Sequence, residues 1–194
     1  MSPGAADCTI KRCARRSRRR LSRGARNRAM RLDIDASLCR FATEVRVRWA
    51  DTDAVGIAYN GAYLTWFEVA RVEYLRALRA WKLGVPLSDP RVQDHLFELD
   101  DEVFTLASST INWRSPAKVD ARLRIVTRVS HVGGSAFDQQ YVVTRAADGA
   151  LVALGESTQV RVDPQALRPI PLHDDMRADL EGFERALAGG HVPR

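Results

Sequence analysis

Between Asn60 and Lys82, Tyr63, Trp66, Phe67, Ala70, Tyr74, Leu78 and Trp81 recur at steps of three and four, and Glu68, Arg71, Glu73, Arg76, Arg79 and Lys82 fall largely between them. This spacing predicts a helix of about 20 residues with a wide apolar stripe. Gly84 and Pro86, in "LGVPLSDP" (Leu83 to Pro90), are stop signals at its end. A stripe that wide must be covered, so the fold class depends on what the rest of the chain can lay against it.

The cover reads as sheet. "EVRVRW" (Glu44 to Trp49) alternates strictly, with Val45, Val47 and Trp49 on one face and Arg46 and Arg48 on the other, as a half-buried strand requires. Four more strand-like runs come after the helix: Glu102 to Trp113, Ala121 to His131, Ala136 to Arg145 and Ala150 to Val162. Gly133-Gly134 and Asp148-Gly149 are tight-turn pairs, which predicts that the last three runs form a meander of hairpins. "DDMRADLEGFERALAG" near the C-terminus reads as a short, partly exposed helix. Strand, long helix, four strands and a terminal helix predict an α+β domain, an antiparallel sheet packed on one helix.

Charge divides the chain. Residues 1–29 hold ten basic side chains and one acid, Asp7, a local charge of +9, whereas the remainder carries −3. So much like charge with so few apolar residues predicts a disordered arm. With 27 Arg against 3 Lys in the chain, Met30 is the expected true start, and the folded domain is expected over residues 30–194. The arm lacks aromatic residues for base stacking, which argues against nucleic acid as a partner. No run of about 18 apolar residues could span a membrane. Cys8, Cys13 and Cys39 all precede the first strand-like run and have no nearby histidine set, which argues against a disulfide framework and a structural zinc. A reducing cytoplasm is the expected location.

The chemistry-bearing segment is "WADTDAVGIAYNGAYLTWFE", Trp49 to Glu68. Two carboxylates, Asp51 and Asp53, sit between strand and helix. Loop acids are commonly caps or turn formers, but Asn60 occupies the expected cap position and Asp53 lies seven residues before it. Either acid could still serve a turn. Gly56 suits a backbone conformation closed to other residues, or a close approach by a ligand.

These residues resemble the hotdog-fold acyl-CoA thioesterases, in particular the 4-hydroxybenzoyl-CoA thioesterase-like family. "DTDAVGIAYNGAYLTWFEVARVEYLR" is similar to that family's motif of Asp, Gly, Asn or His, and a helix aromatic, filled here by Asp53, Gly56, Asn60 and Tyr63. "INWRSPAKVDARLRIV" (Ile111 to Val126) resembles its strand-Pro-strand corner. The resemblance covers about Thr43 to Val162. It implies a sheet of about five strands wrapped round the long helix, and a homodimer or homotetramer with its sites at the subunit interface. It also implies hydrolysis of acyl-CoA or acyl-carrier thioesters. Asp53 would act as nucleophile or general base, with Asn60 and Gly56 completing the catalytic loop at the helix start. Tyr59, Gly61, Tyr63, Arg114 and Lys118 would bind substrate, the last two through coenzyme A phosphates. No metal and no cofactor is implied, coenzyme A entering as part of the substrate.

Other readings stay open. Glu68 and Arg71 are spaced as an i,i+3 pair. A hydratase reading would need a His five residues after an Asp, and none of the four histidines has one. A non-catalytic acyl-CoA-binding module is the alternative.

Overall fold

The structure is a computed structural model describing residues 31–93 and 103–191. The expected basic arm, residues 1–29, lies outside the described residues. The chain divides after Arg31, and the folded elements belong to the unit Leu32–Arg194. They are β1 (Phe41–Arg46), α1 (Ala62–Leu83), α2 (Pro90–Gln93), β2 (Phe104–Trp113), β3 (Arg122–Val132), β4 (Ala136–Arg145), β5 (Leu151–Arg161) and α3 (Asp174–Ala188). The five strands form one antiparallel sheet in the order β1-β3-β4-β5-β2. This is the hotdog arrangement, with β3, β4 and β5 as the expected meander and β1 and β2 at opposite edges.

The helix is seated by its stripe. Tyr63, Trp66, Phe67, Ala70, Tyr74 and Leu78 are buried, and Trp81 is partly so. Gly84 stops the helix in the left-handed conformation (φ 63°), its N–H returning to the Ala80 and Trp81 carbonyls. Register shifts at Leu106/Ser108, Val129/His131 and Val143/Thr144 bend the strands, so that the sheet curves round the helix. At the centre the Phe67 ring stacks flat on Tyr141, with centroids 4.3 Å apart. Gly155 makes this possible, because a Cβ there would lie 2.3 Å from the Phe67 ring.

The first strand departs from expectation. It runs Phe41–Arg46 rather than to Trp49, and Trp49 is 81% exposed, not on the buried face with Val47. Asp51 is the reason. Its Oδ2 accepts the Arg48 N–H (2.9 Å) and Nε–H (3.2 Å), and its Oδ1 accepts from the same guanidinium at 2.8 Å. The chain therefore turns into a 3₁₀ helix, Trp49–Asp51, where the alternation had implied a continuing strand.

Cys39, ahead of the first strand, is nevertheless buried in the folded unit. The segment from Leu32 to Cys39 crosses the outer face of the sheet, and Leu32, Ile34 and Cys39 pack with Val126, Val142 and Leu154. The Leu32 N–H donates to Asn112 Oδ1 at 2.7 Å. Burial pushes the Cys39 thiol up to about 11. At the other end, α3 covers the expected run but is better buried than its sequence implied. Met176, Leu180, Phe183 and Leu187 pack on Tyr74, Leu78 and Phe41, and Glu184 Oε1 accepts from Tyr74 Oη (2.6 Å) and the Val129 N–H (2.7 Å).

Adding one methyl at the centre tests this packing. Gly155→Ala is expected to destabilise the domain by about 1–3 kcal/mol through overpacking against Phe67, read as a lower urea midpoint at unchanged m-value.

Candidate active site

The two carboxylates of the loop between β1 and α1 sit in different surroundings. Asp51 is 3% exposed, and the Arg48 guanidinium holds its carboxyl below the usual carboxylate range. It is a structural acid. Asp53 is exposed and makes no ion pair among the described residues. Both its side-chain hydrogen bonds fall on Oδ1, from the Val55 N–H (2.9 Å) and the Ile57 N–H (3.4 Å). The Gly56 N–H closes the turn on the Asp53 carbonyl at 3.0 Å. Gly56 has φ 79°, with nothing within 4 Å of where a Cβ would stand. Its need is therefore conformational, and the space beside it is open.

The returning strand of the loop is stitched to the Pro116 corner. The Ala58 N–H donates to the Ala117 carbonyl at 2.8 Å, and Ile57 bridges to Lys118. This stitching brings the start of α1 against the end of β2. A cleft of about 280 Å³ opens there, lined by Ile57, Ala58, Asn60, Tyr63, Trp113, Arg114, Ser115 and Pro116. Of the residues singled out in the sequence, Asn60, Tyr63 and Arg114 share this cleft. Lys118 lies round the corner in a second cleft of about 470 Å³ with Asp120 and Arg145, and Pro116 belongs to both. Asp53 and Gly56 are not among the residues that line the first cleft; Asp53 is linked to its lining residue Ile57, whose carbonyl accepts the Asp53 N–H at 2.9 Å.

The helix start corrects one expectation. The cap position falls on Gly61 rather than Asn60, and it makes no side-chain cap hydrogen bond. The Ala62 N–H turns back to the Tyr59 carbonyl (3.0 Å) and the Leu64 N–H to the Gly61 carbonyl (3.1 Å). The opening turn of a helix presents N–H groups without intrahelical partners and the positive end of its dipole. The Asn60 side chain is thereby free to face the cleft. Gly61 has a neighbour the sequence did not reveal: the exposed Tyr59 ring lies over it, 2.6 Å from an ideal Cβ. A side chain at position 61 would therefore run into this ring. Tyr63 is buried, and burial pushes its phenol up, partly offset by the Ala117 backbone. Its ring meets Trp113 edge-on at 6.1 Å.

Trp113 and Ser115 were not singled out in the sequence; they belong to the site because β2 ends beside the helix start. Glu68 and Arg71 form the expected ion pair. Among the described residues no three His, Cys, Asp or Glu side chains gather as a metal site would require. No helix there is long and apolar enough to cross a membrane.

The five-stranded sheet wrapped round a central helix has counterparts among known proteins. Residues 47–180 match the model of the thioesterase-like superfamily. The chain belongs to that superfamily. It is 37% identical over 95 residues to the acyl-CoA thioesterase YbgC of Haemophilus influenzae, covering 49% of this chain and 62% of that protein. It is 27% identical over 143 residues to the acyl-CoA thioester hydrolase YbgC of Escherichia coli, covering 73% and 96%. Among solved structures, the DHNA-CoA thioesterase of Staphylococcus aureus superposes with a TM-score of 0.61 at 21% identity, covering 77% of this chain and 93% of that one. The 1,4-dihydroxy-2-naphthoyl-CoA thioesterase of Synechocystis gives 0.59 at 20%, covering 74% and 97%. At these identities the structural likenesses speak for the fold.

The two carboxylates should separate in experiment. Asp51 is depressed in the fold, so its contribution is present above the unfolded carboxylate value and is lost as pH falls through the folded one. Asp51→Asn is expected to reduce stability at pH 7 by about 1.5–3 kcal/mol, the range for hydrogen bonds to a charged group, and to flatten the acid limb. Urea unfolding between pH 2 and 7 checks this, and an unaltered acid limb would contradict it.

Proposed function

We infer that this chain is an acyl-CoA thioesterase in which Asp53 drives attack on a thioester carbonyl held at the start of α1. The observation that carries the mechanism is the division of labour in the loop. Asp51 is consumed by Arg48, while Asp53 makes no ion pair among the described residues, accepts backbone N–H groups on Oδ1 alone, and is hydrogen-bonded to Ile57 of the cleft at the helix start. The class is supported by superfamily membership and by curated relatives named as thioester hydrolases.

Hydrolysis requires oxygen to add to the thioester carbon and the thiolate to leave. Asp53 either takes a proton from the attacking water and returns it to the departing sulfur, or attacks as a carboxylate to give a mixed anhydride that water then opens. In both routes the carbonyl oxygen gains negative charge. N–H groups and the dipole at the α1 start stabilise that charge, and Asn60 and Gly56 shape the approach. Tyr59, Gly61 and Tyr63 border the acyl carbon, while Arg114 and Lys118 on either side of Pro116 meet the phosphates of coenzyme A. We place the enzyme in a reducing cytoplasm; Cys39 is buried and has no disulfide partner among the described residues.

The assembly we propose is a homodimer, or a tetramer built from it, joined along β2. This strand is a sheet edge. An exposed apolar row, Leu106 and Trp113 from β2 with Leu64 and Tyr59 at the start of α1, flanks it. Unpaired strand edges with apolar flanks invite pairing, and a partner seated there would cover the clefts and exclude water from Asp53.

Two experiments test this. Asp53→Asn is expected to keep the wild-type unfolding midpoint and to lower kcat/KM on a panel of acyl-CoAs by about 10²–10⁴, measured by thiol release. Full activity in that variant would remove Asp53 from the mechanism. Acyl-CoA binding without turnover by the wild type would favour the non-catalytic module instead. Separately, Leu106→Arg is expected to convert the oligomer to monomer in light scattering and to reduce turnover at least tenfold. An unchanged mass would place the interface elsewhere.

A further inference from the structure

The inner face of the sheet is not uniformly apolar beneath α1. A polar belt crosses it, formed by Thr127 of β3, Gln139 and Tyr141 of β4, Ser157 and Gln159 of β5, and Ser109 of β2. Gln139 Nε2 donates to Thr127 Oγ1 (3.0 Å), Tyr141 Oη and Ser157 Oγ are 3.0 Å apart, and Gln159 Nε2 donates to Ser157 Oγ at 3.2 Å. Gln139, Ser157 and Gln159 are at most 3% exposed. Such a row in a core is costly unless every member is satisfied, and two atoms are not: Gln139 Oε1 and Ser109 Oγ are buried without a hydrogen-bond partner.

Ser109 faces Ser157 directly in the β2–β5 register, so its hydroxyl borders the Tyr141–Ser157–Gln159 cluster without bonding to it. Both serines, with Tyr141 and Gln159, line a cavity of about 20 Å³. That is room for about one water-sized group. Its other walls are Leu64, Phe67, Glu68 and Arg71 of α1 and Leu106 of β2. These α1 residues lie four to eleven positions beyond Asn60, about 6–16 Å at 1.5 Å per residue. The cavity therefore sits further along the α1–β2 seam that begins at the carbonyl cleft.

We propose that this cavity recognises a neutral hydrogen-bonding group, a hydroxyl or carbonyl, at the distal end of a medium-length acyl chain lying in the seam. Ser109 Oγ supplies the unused partner, and the Ser157 cluster is its neighbour. Arg71 in the cavity wall is already paired to Glu68, and that pairing with the Glu68 charge disfavours a terminal carboxylate. The assignment rests on the thioesterase reading and adds the acyl class to it.

Octanoyl-CoA, 8-hydroxyoctanoyl-CoA and the mono-CoA ester of octanedioic acid probe it, since eight carbons at about 1.2 Å per bond span the needed distance. In the wild-type oligomer kcat/KM is expected to be about tenfold higher for the hydroxylated ester than for octanoyl-CoA, and lowest for the acid. In Ser109→Ala the ratio of hydroxylated to plain ester should collapse to about one, with no loss of urea stability because an orphaned hydroxyl has been removed. Equal wild-type rates for the first two esters, best turnover of the acid, or a Ser109→Ala variant that keeps the ratio would each overturn the assignment. Turnover of short acyl-CoAs but none of these three would do the same while leaving the hydrolase reading intact. If no acyl-CoA is cleaved, the hydrolase reading fails instead, and calorimetry with the first two esters decides the pocket: tighter binding of the hydroxylated one is expected, and equal binding refutes it.

Discussion

The site end of this domain is registered by the contact of Phe67 with Tyr141 over Gly155. A flat aromatic stack permitted by a missing Cβ fixes how deep α1 sits in the curved sheet. That depth sets the position of the helix start relative to the end of β2, and hence the width of the cleft between Asn60 and Trp113. It also places the outward row of α1, from Leu64 through Glu68 to Arg71, along the β2 edge. The site is a consequence of the core, because neither of its walls is held in place by the loop alone.

The loop adds what the core lacks. An acid held by hydrogen bonds to a charged partner loses basicity. Asp51 takes the folding role through Arg48, and Asp53 is held by its backbone turn at one oxygen only. Two residues apart in sequence, they differ in burial because the 3₁₀ turn points one inward and leaves the other on the rim.

Much of this was legible in the sequence. The α1 stripe, its Gly84 stop and the β3–β5 meander arise from periodicity and turn chemistry, which depend on neighbours within a few residues. The missed features all depend on long-range contacts. Alternation through Arg46, Val47, Arg48 and Trp49 looked like one strand because nothing local announces that Asp51 will accept the Arg48 N–H. The burial of Cys39 was not legible because the apolar partners of Leu32 and Ile34 lie on β3, β4 and β5, some 90 residues and more away. Within the site, the Asp53-to-Tyr63 spacing was visible, whereas Tyr59 covering Gly61 and the Ser109–Ser157 pairing exist only once chain reversal and strand register are set.

The strap across the outer face bears on where this domain can be cut. The segment matching the superfamily, residues 47–180, begins after β1 and ends inside α3. A fragment with those bounds would lack the sheet's edge strand, the cover over Val126, Val142 and Leu154, and the anchors Phe183 and Leu187. It would present fresh apolar surface on two sides and an open strand edge at β3. The stretch recognisable by kinship is thus smaller than the stretch able to stand alone in water.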